Sequence, residues 1–304
     1  MPALLPEELA ERIATGLLAF PVTHFTAAYA FDEEPFREHL EWLLGYEPAG
    51  LFAAGGAGEF FSLTLVEFAE VIAAAVDQTR HRVPVVAGCG YGTAMAKQFV
   101  RAAEDAGADG LLLLPPYLLN AEPAGLVAHV EAVCESTPLG VIFYNRDNAI
   151  LNESALEQLC ERCPNLVGFK DGGGDFELMA RICSRFAGRL TCICGLPTAE
   201  TYALPYMEMG AACYSSAIFN FLPRFALDFY TAARRRDREE VSRLMREFVL
   251  PYVEIRRRHN GYAVSIIKAG LRAVRRPAGP VRPPLTELEP GEMEALTRLV
   301  AGRE

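Results

Sequence analysis

The segment "LVGFKDGGGD" (residues 166–175) runs from an apolar strand pattern into three glycines and an aspartate. Its first six residues are typical of a buried strand. Aspartate, as at Asp175, is a preferred residue at the start of a helix. The segment therefore predicts one strand-to-helix unit. A lysine, Lys170, stands near the end of the apolar strand, and the functional interpretation depends on it.

Similar apolar runs recur along the chain, each followed by helical spacing, which is the pattern of repeated βα units around a parallel sheet. An open doubly wound sheet would have fewer strands and a phosphate-binding first turn. Eight units instead predict a TIM (β/α)8 barrel. The predicted strands are residues 16–23, 50–56, 83–90, 110–116, 139–145, 166–171, 190–195 and 212–219.

The strand signal stops after the eighth unit, which predicts two parts. Residues 1–236 are predicted to form the barrel with a short N-terminal helix, and residues 237–304 a C-terminal helical extension. Within the extension we expect two helices broken around Asn260–Gly261, then an extended proline-rich segment (275–290) and a last short helix. Predicted helix N-caps are Thr64, Thr93, Asn152 and Asp175.

Composition points to a small-molecule partner. A net charge of −10 argues against nucleic-acid and anionic membrane surfaces, because both would repel the protein. No apolar run approaches the ~20 residues of a membrane span, and the acidic N-terminus lacks a signal-peptide pattern. We therefore expect a cytoplasmic protein.

Cysteines and histidines do not form a recognisable metal pattern. Cys160 and Cys163 close a predicted helix without a second CxxC, and the five histidines show no zinc-helix spacing. The eight cysteines fit apolar patterns, as expected for reduced, packed thiols. We expect neither a metal nor an organic cofactor.

Lysine is scarce: the 29 basic residues include only Lys97, Lys170 and Lys268. A lysine retained among so many arginines suggests a need for an amine that can lose its proton. Lys97 and Lys268 have adequate surface explanations on predicted helices. Lys170 has none.

Strand alternation places Lys170 inside the predicted barrel. We expect Leu166 and Gly168 to share its face, with Val167 and Phe169 toward the helices. At the C-terminal rim, removal from water would lower the pKa of the ammonium, leaving an amine able to form an imine with a ketone. A lysine held in an ion pair with an acid is the structural alternative.

Two further elements surround this position. Tyr144 ends the preceding strand and could carry protons. The glycine-rich loop "AAGGAGEFFSL" (53–63) could turn backbone N–H groups around a carboxylate. It is not a GxGxxG motif, so nucleotide binding is unsupported.

A set of motifs resembles the class I, lysine-dependent lyase family that includes dihydrodipicolinate synthase and N-acetylneuraminate lyase. Order and spacing agree from about residue 13 to 275. Within the family the motifs look like those of a branch that dehydrates and decarboxylates a six-carbon keto diacid. They are GGAGE (55–59), PPY (115–117), FYNRDN (143–148), GFKDGGGD (168–175) and CGLPTAE (194–200).

The resemblance implies that Lys170 is the Schiff-base residue and Tyr144 its proton relay. It implies a small sugar-diacid substrate and a homotetramer built from dimers, with Tyr117 at a dimer interface. Hydroxyl residues of related enzymes are replaced here by Gly56 and Ala57. The predicted substrate-binding residues are Gly56, Ala57, Gly58, Tyr117, Arg146, Asn148, Gly195, Thr198, Ser215 and Ser216.

Several of these assignments stay open. Thr198, Ser215 or Ser216 could replace the missing hydroxyls, and Arg146 with Asn148 could meet a far carboxylate or form an exposed loop. An aldolase of the same family would use the same imine but release pyruvate. A flavin phosphate on the "DGGGD" glycines (171–175) and a non-catalytic binding barrel are further alternatives.

Overall fold

A computed structural model describes residues 4–117 and 120–303 of the chain. Eight parallel strands close into a barrel in sequence order, with β1 paired to β8. The predicted (β/α)8 barrel is confirmed, and each strand lies inside its predicted run. The strands are β1 (Leu18–Ala19), β2 (Gly50–Ala53), β3 (Val85–Cys89), β4 (Gly110–Leu113), β5 (Gly140–Asn145), β6 (Leu166–Asp171), β7 (Thr191–Cys194) and β8 (Cys213–Ser216).

Helices surround the barrel and continue beyond it. Short 3-10 turns lie at Phe60–Ser62, Ala199–Tyr202 and Ile218–Asn220, and a π-helical turn at Met245–Val249 joins α10 to α11. The helices are α1 (Pro6–Ile13), α2 (Glu33–Leu44), α3 (Leu65–Thr79), α4 (Thr93–Asp105), α5 (Pro123–Cys134), α6 (Glu153–Arg162), α7 (Phe176–Arg185), α8 (Ala203–Glu208), α9 (Pro223–Arg234), α10 (Arg238–Leu244), α11 (Leu250–Arg256), α12 (Tyr262–Ala273) and α13 (Pro290–Val300).

The apolar core has two layers. Side chains between the strands and the outer helices form the larger cluster, and inward-facing side chains fill the barrel. Leu9 and Ile13 of α1 belong to the inner cluster. Helix α1 therefore closes the N-terminal end of the barrel, and the site is left at the opposite end.

Strand β6 departs from simple alternation at Val167. Val141 pairs with Leu166 but the next residue, Ile142, pairs with Gly168, so Val167 is an extra residue in β6. Such a bulge breaks the two-residue period. Leu166 consequently packs in the outer cluster and Val167 in the inner one, opposite to the prediction. Phe169 does face the helices, as predicted.

Most predicted helix starts are confirmed. Thr64, Asn152 and Asp175 each accept a hydrogen bond from a backbone N–H in the first turn. Thr93 is instead the first residue of α4, whose N-cap is Gly92. The prediction was one residue off because both positions suit a helix start.

The C-terminal region follows the predicted order. The predicted domain boundary at residue 236 falls between α9 and α10, and a break at Gly261 separates α11 from α12. Residues 274–289 contain no helix or strand and lead into α13. Within the described residues, no helix combines the length and apolar character that crossing a membrane requires.

Candidate active site

A cavity of about 390 Å³ lies at the C-terminal end of the barrel. Lys170 and Tyr144 reach it from adjacent strands, since Tyr144 pairs with Lys170 across β5 and β6. It is the place where barrel enzymes carry catalytic groups. Of the predicted site residues, the cavity is lined by Gly56, Ala57, Tyr144, Arg146, Lys170, Gly195, Thr198, Ser215 and Ser216.

Lys170 is almost completely buried, with 3% of its surface exposed. Its Nζ lies 3.5 Å from the centroid of the Tyr144 ring and 3.3 Å from the carbonyl oxygen of Gly195, to which it donates. Burial lowers the pKa of this lysine, which the neighbouring Tyr144 only partly opposes. No carboxylate forms an ion pair with Lys170 among the residues described. The arrangement favours a nucleophilic amine over a structural ion pair.

Tyr144 is held by partners on both sides. Its hydroxyl donates to the Gly195 carbonyl oxygen at 2.8 Å and accepts a hydrogen bond from Arg146 Nη1 at 3.1 Å. Burial alone would raise the pKa of the phenol, but the cations Lys170 and Arg146 outweigh it and lower the pKa. A phenol that loses its proton more easily than usual and lies beside an amine is suited to proton transfer.

The three glycines that follow Asp171 take part in close local contacts. A Cβ at residue 172 would lie 2.8 Å from the Tyr144 ring. The N–H groups of Gly173 and Gly174 donate to the Asp171 carboxylate at 3.2 and 3.0 Å. Since Asp171 occupies these donors, they are not free to bind a flavin phosphate.

Asp171 is a functional neighbour that sequence reasoning missed. Its carboxylate is fully buried and also accepts hydrogen bonds from Tyr206 Oη at 2.6 Å and Asn145 Nδ2 at 3.1 Å. These bonds fix the end of β6 next to Lys170. Asn145 and Tyr206 come from distant segments, so only the adjacency of Asp171 to Lys170 could have signalled its role.

The glycine-rich loop is divided between the cavity and the core. Gly56 and Ala57 line the cavity, whereas a Cβ at Gly58 would lie 3.0 Å from Ala54 Cα, so Gly58 is a packing position. Glu59 belongs to the same loop and is fully buried. A left-handed backbone at Glu59 (φ 55°) completes the turn.

Lys268 anchors this loop, which corrects the prediction of a surface role. Its Nζ lies 2.7 Å from Glu59 Oε1, and neither side chain is exposed. The lysine also donates to the Pro280 carbonyl oxygen at 2.7 Å. The apolar pattern of α12 was recognised from the sequence, but the acid that Lys268 pairs with is 209 positions away and invisible to periodicity.

Two further predicted site residues, like Gly58, lie away from the cavity wall. Asn148 Nδ2 donates to the Pro116 carbonyl oxygen at 2.8 Å. Tyr117 is 65% exposed, and its ring centroid is 6.4 Å from that of Tyr91. Arg146, by contrast, reaches the cavity while bonded to Tyr144 and, through Nε, to Asp147 at 3.1 Å.

The three candidate hydroxyls differ in their surroundings. Thr198 has a left-handed backbone (φ 53°) and a buried hydroxyl without a hydrogen-bond partner among the described residues. Ser215 donates to the Cys194 carbonyl oxygen at 3.4 Å. Ser216 donates to buried Glu200 and accepts from the Phe219 N–H at 3.1 Å. Burial raises the pKa of Glu200 to about 7.

The C-terminal extension completes the cavity, which the sequence did not predict. Arg256 and Tyr252 of α11 line it together with apolar residues of α12. These helices fold back over the barrel mouth, a long-range contact that no local pattern announces. The remaining extension residues of the wall are Gly261, Ala263, Val264, Ile267 and Leu285.

Comparison with known proteins agrees with this geometry. Residues 13–302 match the Dihydrodipicolinate synthetase family, further than the predicted resemblance to residue 275. The chain is 60% identical to a probable 5-dehydro-4-deoxyglucarate dehydratase of Bradyrhizobium sp. (strain ORS 278), over 99% of this chain and 96% of that protein. It is 61% identical to a protein of the same name from Methylobacterium radiotolerans, over the full length of both.

Solved structures show the same fold. Dihydrodipicolinate synthase from Bacillus clausii superimposes with a TM-score of 0.87 at 28% identity, covering 96% of this chain and 98% of that one. The synthase from Oceanobacillus iheyensis gives a TM-score of 0.89 at 26% identity, covering 97% and 98%. This chain therefore belongs to the dihydrodipicolinate synthetase family.

Proposed function

We propose that this protein is a 5-dehydro-4-deoxyglucarate dehydratase, which dehydrates and decarboxylates that diacid to 2,5-dioxopentanoate through an imine on Lys170. The observation that carries the proposal is the buried Lys170 amine, without an acid partner among the described residues and in contact with Tyr144. The names of relatives at about 60% identity supply the substrate.

The charge of the cavity supports a dianionic substrate. Arg146 and Arg256 line it, and the Lys170 nitrogen becomes positive once the imine is protonated, although the protein as a whole carries a net charge of −10. Among the described residues of the wall the one acid is Asp147, which is already paired with Arg146. A local excess of positive charge on an acidic protein favours a ligand with two carboxylates.

Imine formation begins with the unprotonated Lys170 amine. Its nitrogen attacks the C5 ketone, and the ketone oxygen leaves as water after receiving protons, for which Tyr144 is the nearest carrier. Gly56 and Ala57 would hold the adjacent C6 carboxylate through backbone N–H groups. The product is a protonated imine whose positive nitrogen acidifies the C4–H bonds.

Dehydration follows at C4 and C3. A base removes a C4 proton, and the electron pair then expels the C3 hydroxyl, which takes a proton and leaves as water. Tyr144 is the candidate base, because its lowered pKa makes the phenolate more accessible. The result is a C3–C4 double bond conjugated with the iminium.

Decarboxylation uses the same electron sink. The C1–C2 bond breaks, CO2 departs, and its electron pair is delocalised through C3 and C4 onto the nitrogen. Protonation of the carbon chain, tautomerisation of the C2 enol to an aldehyde and hydrolysis of the imine release 2,5-dioxopentanoate. Lys170 is regenerated as an amine, and the reaction as written draws on no metal or organic cofactor.

The assembly and location are part of the proposal. A homotetramer built as a dimer of dimers would cover the exposed ring of Tyr117, and the eight unpaired cysteines suit a cytoplasmic location. Sedimentation at several protein concentrations tests the assembly. A monomer at micromolar concentration would exclude it.

Borohydride trapping tests the chemistry. The full-length protein is incubated with 5-dehydro-4-deoxyglucarate and borohydride, and peptide mass spectrometry locates the adduct. We expect modification of Lys170, release of one CO2 per substrate, and neither outcome in Lys170→Arg. Pyruvate as the product would instead identify an aldolase. A Lys170→Arg variant that turns over at the parent rate would refute the proposal.

A further inference from the structure

Arg256 adds a further cationic side chain to the cavity wall, contributed by the C-terminal extension. It is the last residue of α11 and is half-buried in the cavity wall. Lys170 lies at the end of β6, in the barrel proper. A ligand that spans the cavity can therefore touch an amine from the barrel and a guanidinium from the extension.

The Arg256 guanidinium has no hydrogen bond or ion pair within residues 4–117 and 120–303. Arg146, the other arginine of the wall, is already bonded to Tyr144 and Asp147. Burial lowers the pKa of Arg256, and the neighbouring Tyr252 and Glu200 only partly oppose this effect, so the charge is partly desolvated. A desolvated charge is costly unless an anion pairs with it.

The protein itself offers Arg256 only a weak counter-ion. Glu200 is near enough to interact electrostatically, but burial raises the pKa of its carboxyl to about 7, and that carboxyl is bonded to Ser216. The Glu200 carboxyl is therefore harder to ionise than a carboxyl in water. A ligand carboxylate would be a better partner.

Much of the cavity wall is apolar. Val264, Ile267 and Leu285 line the same cavity as Arg256. Low polarity strengthens a charge-assisted hydrogen bond and penalises a monocarboxylic ligand that leaves the guanidinium unpaired. Chemistry at this end therefore favours a planar anion, which a guanidinium binds in a bidentate manner.

We infer that Arg256 binds the substrate carboxylate remote from the ketone, so that the C-terminal extension selects dicarboxylic over monocarboxylic 2-oxo acids. This inference rests on the proposed imine chemistry at Lys170. It assigns to Arg256 the far-carboxylate contact for which the sequence had suggested Arg146 and Asn148.

The proposed reaction predicts different effects on KM and kcat when the Arg256 contact is removed. The carboxylate held by Arg256 is the one that leaves as CO2, and it loses its charge as the C1–C2 bond breaks. The contact is thus stronger in the bound substrate than in the transition state of decarboxylation. Removing it should therefore raise KM without lowering kcat.

The test compares two ligands that differ only at the remote end. 2-Oxoadipate carries a carboxylate there, and 2-oxohexanoate ends in a methyl group. Neither has a hydroxyl to eliminate, so each can form the imine without turning over. Dissociation constants are measured by calorimetry for the full-length parent, Arg256→Met, Arg256→Lys and Arg257→Met. Arg257 is an exposed neighbour, and its replacement changes the net charge equally.

The parent is expected to bind 2-oxoadipate more tightly than 2-oxohexanoate. Arg256→Met should weaken 2-oxoadipate binding roughly 10- to 100-fold and leave 2-oxohexanoate within about 2-fold. Arg256→Lys should recover part of the loss, and Arg257→Met should match the parent. The KM for the diacid substrate should rise in Arg256→Met by a similar factor, with kcat within about 3-fold.

Two results would overturn the inference alone: equal losses for both ligands in Arg256→Met, or the same loss in Arg257→Met. Borohydride trapping separates these from failure of the proposed function. If the parent forms no Lys170 adduct with either ligand, the imine chemistry is wrong and the inference falls with it. If the adduct forms but Arg256→Met keeps the parent's selectivity, only the inference is wrong.

Discussion

Gly195 and Lys170 are in such close contact that no side chain fits between them. A Cβ at position 195 would lie 2.6 Å from Lys170 Cγ and would overlap Nζ. The Gly195 carbonyl oxygen also accepts hydrogen bonds from both Lys170 and Tyr144. This glycine therefore sets the position of the reactive amine as well as leaving space for it.

Replacing Gly195 with alanine should displace the amine without unfolding the protein. We expect Gly195→Ala to reduce borohydride-trapped adduct on Lys170 by about 100-fold or more, because small misplacements of reacting groups are costly. Mass spectrometry measures the adduct, and thermal unfolding checks the fold. Gly291→Ala is the control, since nothing lies within 4 Å of a Cβ at that position. Full trapping in Gly195→Ala would contradict the positional role.

The buried pair of Glu59 and Lys268 should contribute to stability through both partners. Lys268→Met leaves the Glu59 carboxylate buried and unpaired, which is expected to lower the free energy of unfolding by about 3–5 kcal/mol. The double variant with Glu59→Gln should recover part of this loss. Denaturant unfolding measures both. Lys97→Met, at a lysine with no ion pair in the described structure, should change stability by less than about 0.5 kcal/mol.

Two buried histidines predict acid lability. Burial lowers the pKa of His24 to about 4 and that of His39 to about 3, so both are neutral in the folded protein at pH 5. The unfolded chain binds protons below pH ~6.5. The contribution of the neutral histidines to stability is therefore complete above pH ~6.5. It is lost progressively as the pH falls from there to about 4 for His24 and about 3 for His39. By pH 5 the loss should be about 2 kcal/mol for each histidine.

Thermal unfolding at pH 7 and pH 5 measures this effect. The difference between the two pH values should shrink in His39→Gln, which removes one of the titrating groups. His81→Gln, at an exposed histidine, should leave the difference unchanged. An equal pH dependence in His39→Gln and the parent would show that buried imidazoles do not control acid stability.

Thr198 is expected to lower the stability of the fold and to support turnover. This β-branched residue has a left-handed backbone (φ 53°), a conformation that costs roughly 1–3 kcal/mol. Thr198 lines the cavity, and its buried hydroxyl has no hydrogen-bond partner among the described residues. Thr198→Gly should raise the melting temperature. If the hydroxyl binds the substrate, as the sequence predicts, the variant should also lower turnover about 10-fold, because that hydrogen bond is lost. Thr198→Ser should keep turnover. A faster or equally active glycine variant would show that the strain serves packing only.

The sequence was most informative where local rules decide the structure. Apolar runs and turn residues located all eight strands, and cap chemistry located three of four proposed helix starts. Lys170 was identified because its charge interrupts an apolar strand. The cavity does contain it, and the roles assigned to the site residues remain predictions.

The errors came from interactions that a local pattern does not contain. The faces of Leu166 and Val167 were reversed because one extra residue in β6 is only visible in its pairing with β5. Lys268 looked superficial because its partner, Glu59, lies in a loop of the first quarter of the chain. Arg256 was missed because the contact between the extension and the barrel mouth is long-range and has no local sequence pattern.

Helix α1 determines which end of the barrel is open to ligands. Because Leu9 and Ile13 fill the N-terminal end, substrate and products enter and leave the cavity at the opposite end, beside the extension. If the diacid binds with its ketone at Lys170 and its remote carboxylate at Arg256, as proposed, CO2 forms on the side of the extension. CO2 would then leave while the remaining five carbons are still bound to Lys170, and hydrolytic release would come last.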